Sequence, residues 1–184
     1  LNTIYTQRTN LGPIRTDTSA VWDLAPHDIS IFLYVMNGIM PTAVSATGQC
    51  VLPSTKHVDV AFISLFFPGN IMGHIHVSWL DPQKVRTVTF VGESGRISFD
   101  DTSGIEPIRV YMKGFNRSEK EGGEREFTYR DGDIVSPMVV DKEPLKAQVL
   151  DFLSSIQEKR QPISSADLGI KVSKILNAVD ASIK

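Results

Sequence analysis

From Val58 to Phe67 the chain alternates with the period of a β-strand, yet neither set of side chains is polar. Val58, Val60, Phe62 and Phe66 share one face, and Ala61, Ile63, Leu65 and Phe67 share the other. A strand that is apolar on both faces has to be covered on both. Whatever contains it must therefore build layers on either side of a sheet. The following residues extend that sheet. Pro68-Gly69-Asn70 offers a hairpin turn. Ile71 to Leu80 continues as a strand, with Ile71, Ile75, Val77 and Trp79 on one face and Met72, His74, His76 and Ser78 on the other. Lys84 to Val91 reads as a third strand, and Arg96 to Phe99 as a fourth after the Glu93-Ser94-Gly95 turn. Arg109 to Lys113 and Arg125 to Arg130 read as two more, joined by the polar stretch Asn116 to Glu126 as a solvated hairpin loop. Thr3 to Arg8 is a β-prone opening strand. Consecutive strands joined by short turns imply a largely antiparallel sheet.

Helices bracket these strands. The first is expected from about Pro26 to Asn37, because proline suits a first helical turn and Gly38 suits a helix end. Its stripe is Ile29, Phe32, Leu33 and Met36, but Ile31 and Val35 lie off it, which predicts a sandwiched helix. Glu143-Pro144 opens a second helix whose expected core stripe is Leu145, Val149, Phe152, Leu153 and Ile156. The last begins near Ser164, with Asp167 as a capping-box-like partner, and carries Leu168, Val172, Ile175, Leu176, Val179 and Ile183. Strands in one run with helices before and after predict an α+β fold: a largely antiparallel open β-sheet with helices packed on one face. The other face then needs a cover, most simply a second subunit.

Composition narrows the function. The 184 residues suit one ordinary domain, and 41% hydrophobic with 22% charged residues excludes a disordered or collagen-like chain. A net charge of -2 gives no reason to expect nucleic acid or an anionic membrane surface as partner. The single cysteine, Cys50, can form no internal disulfide and fits a reducing, cytoplasmic setting. The most apolar window, Ile29 to Met40, is interrupted by Ser30, Asn37 and Gly38 and is too short to span a membrane. G-x-G-x-x-G, G-x-x-x-x-G-K-[ST] and G-x-S-x-G do not occur.

Three patterns of titratable residues stand out. His74 and His76 share a strand face as a metal pair would, but a lone H-x-H lacks a third ligand, so sheet or interface histidines are expected and no metal. In WDLAPHDIS, Asp23 and His27 lie four apart at the start of a helix. An Asp–His pair can relay protons, the carboxylate orienting the imidazole. The helix N-terminus would keep His27 neutral, while Asp28 pushes the other way. The alternative is structural, with Asp23 as a helix cap and His27 in the first turn, and spacing alone favours it. In SWLDPQKVR, the Asp81-Pro82 turn precedes Lys84 and Arg86, which either meet an anionic substrate or line a solvated strand.

WDLAPHDIS, FPGNIMGHIHVSWLDPQKVR, VGESGRISFDD and EPIRVYMKG, in this order, resemble the C-terminal half of the Gfo/Idh/MocA oxidoreductases, and most nearly the sugar and nucleotide-sugar dehydrogenases. The tail from Glu143 to Ser182 is similar to that family's closing helix pair, although Gln148 stands where many members carry an acidic residue. The resemblance implies a C-terminal domain of the glyceraldehyde-3-phosphate dehydrogenase-like type. Residues 1–184 would then be one domain of a two-domain enzyme, with Leu1 near the point where a Rossmann half hands over. That half would carry NAD or NADP and a catalytic lysine in a Glu-Lys-Pro motif, and no cofactor is expected on this domain alone. Asp23 and His27 match the family's Asp-x-x-x-His pair, with His27 as acid/base and Asp23 orienting it. Arg8, Arg15, Lys84 and Arg86 are candidate contacts for an anionic group on a sugar or nucleotide-sugar substrate. A homo-oligomer through the open sheet face is implied as well. The competing expectations are a free-standing binding or scaffold domain of the same fold, and a Rossmann partner on a separate chain.

Overall fold

The computed structural model describes residues 1–52, 56–119, 125–140 and 143–183. Its strands are β1 (Thr3–Thr9), β2 (Ala43–Gln49), β3 (Val60–Phe67), β4 (Ile71–Ser78), β5 (Val85–Val91), β6 (Arg96–Asp100), β7 (Ile108–Tyr111), β8 (Gly114–Glu119), β9 (Arg125–Arg130) and β10 (Ile134–Val135). Its helices are α1 (Ala20–Val35), α2 (Pro144–Glu158) and α3 (Ala166–Ile183). Eight strands form one sheet in the order β10-β7-β6-β5-β1-β4-β3-β2, and β8 and β9 form a separate ribbon. Every pair in the large sheet is antiparallel except β1 with β4. That parallel pair follows from the long connection through α1, β2 and β3, since only a crossover returns a chain in the same direction.

The fold class is the one expected: an α+β domain with a largely antiparallel open sheet and helices on one face. Helix α1 packs on β1, β3 and β4, and α3 packs on β2 and α1. The core lies between these layers. Ile4, Ile63, Leu65, Ile75 and Val77 meet Val21, Ala25, Ile29, Phe32 and Leu33, and all ten are fully buried. Gly73 lets α1 approach, because a Cβ there would lie 2.5 Å from the Phe32 ring. Strand β3, apolar on both faces, is covered on the helix side only; opposite, Phe62 and Phe66 remain exposed.

Several boundaries differ from expectation. Helix α1 begins at Ala20 rather than Pro26, with Ser19 as N-cap accepting from the Trp22 N–H at 3.3 Å. Pro26 sits inside the helix and forgoes only the bond to the Trp22 carbonyl. The end is as expected, with Gly38 at φ +75° donating to the Leu33 carbonyl at 2.7 Å. For α3 the capping hydroxyl is Ser165, bonded to the Leu168 N–H at 3.3 Å, and not Ser164; Asp167 instead pairs with Lys171 at 2.8 Å. Strand β2 has no apolar run to announce it. Its residues are small because α3 lies against it: a Cβ on Gly48 would reach Ile183 at 3.1 Å, and the Ala46 N–H donates to the Ser182 hydroxyl at 2.8 Å. Arg125–Arg130 does not pair with the strand ending at Tyr111, because the intervening Gly114–Glu119 takes it as partner in the ribbon. The centre of the expected polar loop lies outside the described residues.

Candidate active site

The site forms where β1 ends, β5 begins and α1 passes over them. On β1, Ile4, Thr6 and Arg8 point to the helix side. Arg8 and Arg86 are direct partners across β1 and β5, so two guanidinium groups rise from the same face. Like charges placed opposite one another repel, and each has a counter-ion. Arg8 meets the fully buried Asp28 through two bonds, Nε to Oδ2 at 3.0 Å and Nη2 to Oδ1 at 3.1 Å. Arg86 lies 3.4 Å from Asp101 at the surface. Burial pushes the Asp28 carboxyl above its ordinary range, and the Arg8 contact works against that rise.

Asp23 lies in the first turn of α1 and is not its cap. One carboxylate oxygen accepts from Arg15 Nη1 at 3.2 Å and the other from the buried Trp79 indole at 3.1 Å. Arg15 also grips Asp17, with Nη2 to Oδ2 at 2.6 Å. Among the described residues no hydrogen bond reaches the His27 ring, so Asp23 acts on it by charge alone. His27 lies beyond the first turn, where a helix end has little influence. It nonetheless titrates below the usual range. Desolvation is the main cause and Arg8 the next, with Arg86 adding to them; Asp28 and Asp23 oppose. The residue is exposed, and with its pKa held below the ordinary value the imidazole is neutral near pH 7 and open to an incoming ligand.

The structure thus gathers Asp23, His27, Arg8, Arg15 and Arg86 at one end of the sheet. Lys84 lies at the same end, exposed and, among the described residues, without an ion pair. Sequence reasoning missed the roles of Asp28 and Trp79. An arginine in the buried register of β1 signals a buried carboxylate, and Asp28 is that group. His74 and His76 lie on the open face, stacked with Phe62 at 6.4 and 4.3 Å, and Ser64 lies 3.3 Å from His74 Nδ1. No group of three or more His, Cys, Asp or Glu suited to a metal occurs among the described residues. Nor is any described helix long and apolar enough to cross a membrane.

His76, like His27, is held below its ordinary pKa, mainly by desolvation, with His74 adding to it and Asp81 opposing. In the unfolded chain both protonate near 6.5. Just below that pH the unfolded state binds more protons, so stability falls on acidification. Asp28 contributes with the opposite sign from 3.8 upward. Unfolding free energies from urea titration should therefore drop between about pH 7 and pH 5.5, with a slope below about 1.4 kcal/mol per pH unit per histidine, since both residues are partly exposed. In His27→Gln the drop should be smaller; an unchanged drop would contradict the assignment.

Residues 5–98 match the GFO/IDH/MocA C-terminal domain. The chain belongs to the GFO/IDH/MocA family. None of the curated proteins compared with it matches. Among solved structures it resembles the UDP-N-acetylglucosamine 3-dehydrogenase GnnA from Acidithiobacillus ferrooxidans, with a TM-score of 0.77 and 17% identity over 99% of this chain and 53% of that one. An aldose-aldose oxidoreductase from Caulobacter crescentus, complexed with glycerol, gives 0.71 and 17% over 99% and 53%. An oxidoreductase from Agrobacterium radiobacter, in complex with NAD+, L-tartaric acid and magnesium, gives 0.70 and 15% over 98% and 54%. These likenesses concern the fold. The chain spans about half the length of each.

Proposed function

We propose that this GFO/IDH/MocA domain is the substrate-binding and dimerisation half of an NAD(P)-dependent oxidoreductase acting on a hydroxyl of a sugar or nucleotide sugar. The observation that carries the reading is the neutral His27, reachable from solvent and flanked by Arg8 and Arg86 at one end of the sheet. This chain offers no glycine-rich turn for a pyrophosphate, so its own residues do not fit a dinucleotide. NAD or NADP, held by a second half, would accept or supply the hydride at the substrate carbon. His27 would take the hydroxyl proton during oxidation and return it during reduction. Asp23, fixed by Arg15 and Trp79, would keep negative charge near the imidazolium that forms. Arg8 has Nη1 left over after binding Asp28, and with Arg86, Arg15 and Lys84 it would contact substrate oxygens or phosphate.

The test is hydride transfer by the full polypeptide of the gene, followed at 340 nm with NAD and NADP against sugars and nucleotide sugars. Turnover by that polypeptide and none by residues 1–184 supports the reading. A start codon directly before Leu1 would favour the non-catalytic binding domain instead. The second part concerns the open face. Tyr5, Phe62, Phe66 and Met72 are 37%, 47%, 40% and 41% exposed there, a patch that a second copy would cover. Light scattering at micromolar concentration should give twice the chain mass; a strict monomer contradicts dimerisation.

A further inference from the structure

Outside the candidate site two surfaces stand out. The expected core stripe of α2 is turned to solvent, with Leu145, Val149, Phe152, Leu153 and Ile156 between 49% and 71% exposed. On the sheet face opposite Arg8 and Arg86, by contrast, polar groups line a hollow of about 290 Å³. Strand register builds it. Tyr5, Thr89, Ser98 and Arg109 form one row across β1, β5, β6 and β7. Thr87 and Asp100 are partners in the row on one side, and Arg96 and Tyr111 in the row on the other. Alternate residues of a strand share a face, so these side chains all rise from the same surface. Its floor is small and hydroxylated, and its walls are aromatic or charged.

Arg96 stands over two of those walls, its guanidinium carbon 5.9 Å from the centre of the Tyr5 ring and 5.3 Å from that of Tyr111. Aromatic faces hold a cation in place without neutralising it. The carboxylates of the hollow are engaged elsewhere. Asp100 Oδ1 accepts from the Thr102 N–H at 2.9 Å and from its hydroxyl at 2.6 Å, and Glu106 accepts from Arg109 at 3.1 Å. Among the described residues Arg96 has no carboxylate partner, and the hydroxyls of Thr87, Thr89 and Ser98 have no hydrogen-bond partner. Thr89 is buried, where an unsatisfied hydroxyl is costly. A preset cation and three unspent hydroxyls therefore line one hollow, with Asp100 Oδ2 as an acceptor beside them. We propose that this hollow is a second ligand site, for a short polyol or single sugar that carries one phosphate or carboxylate. The anion would meet the planar fork of Arg96, which suits both groups. The ligand's hydroxyls would bond with Thr87, Thr89 and Ser98 and donate to Asp100. The volume lies at the lower end for ligand cavities, which limits the ligand to that size. The hollow shares only Tyr5 with the patch assigned to a second copy; its other strand residues lie beyond β1 on β5, β6 and β7.

Isothermal titration of the full polypeptide of the gene with glycerol phosphate and with gluconate tests this, with glycerol, glucose and inorganic phosphate as comparators. At least one of the two hydroxylated anions should bind at least about tenfold more tightly than its neutral counterpart, the usual effect of a hydrogen bond to a charged group. The tighter of the two names the anion. Arg96→Met should weaken binding by at least about tenfold and Thr89→Val by a smaller factor, while Arg86→Met leaves it unchanged. Arg96 is exposed, so Arg96→Met should keep the parent's Tm. No binding of either anion overturns the proposal. So does binding that survives Arg96→Met, or binding that Arg86→Met abolishes, which assigns the anion to the end of the sheet that carries Arg8 and Arg86. Inorganic phosphate held as tightly as glycerol phosphate means an adventitious ion only and overturns it too. Dimerisation lost in Arg96→Met, with no ligand bound by the parent, assigns the guanidinium to a carboxylate of a second copy and likewise overturns it.

Discussion

His27→Ala in the full polypeptide is expected to lower turnover by about a hundredfold or more, the usual loss when a general acid–base is removed. The ring is neutral near pH 7 because its surroundings desolvate it and Arg8 and Arg86 stand nearby, so it can accept a proton without first shedding one. Among the described residues its imidazole makes no hydrogen bond, so truncation leaves no buried partner unsatisfied. The variant should therefore fold, with a Tm close to the parent's, and the loss should fall on kcat more than on KM. The pH–rate profile should lose its acidic limb, which in the parent lies below about 6.5. Turnover within threefold of the parent would return His27 to a structural role.

Arg8→Ala is expected to destabilise the domain by about 3–5 kcal/mol, the range for removing one partner of a buried ion pair. Asp28 is fully buried and both of its oxygens are spent on Arg8. Without the guanidinium it must either stay charged in an apolar setting or take up a proton, and both cost free energy. Urea unfolding of residues 1–184 measures this directly. The double variant Arg8→Met with Asp28→Leu should recover most of the loss, because an apolar pair of similar size carries no desolvation penalty. A loss below about 1 kcal/mol for Arg8→Ala would mean that Asp28 finds another donor and that the pair does not anchor β1 to α1.

Much of the fold was legible because burial writes period-two patterns into strands and wide apolar stripes into helices. The two-faced strand from Val58 to Phe67, the hairpin at Gly69 and the stripe of α3 all appear where those patterns place them. Strand β2 was not legible, since Ala43–Gln49 is shaped by the close approach of α3 and not by an apolar face of its own. The start of α1 was misplaced because proline usually marks a first turn, whereas Ser19 supplies the cap here and the helix absorbs Pro26 within its length.

The site divides in the same way. The spacing of Asp23 and His27 placed the pair at the start of a helix, and WDLAPHDIS with SWLDPQKVR carried the resemblance to the family; that Asp23 and His27 both lie within α1 came from the structure. A linear pattern records which residues share a local element. It does not record which charges meet across the sheet. Only the tertiary structure joined Arg8 to Asp28, twenty positions away, and Trp79 to Asp23, fifty-six positions away. It also moved the cause of the neutral imidazole from a helix end to desolvation and Arg8, and exposed α2 as an apolar helix facing outward. Periodicity and motif determined the class of domain. Long-range packing decided which of its polar groups are fixed, which are neutral and which surface awaits a partner, because desolvation and ion pairing depend on distance in space and not on distance along the chain.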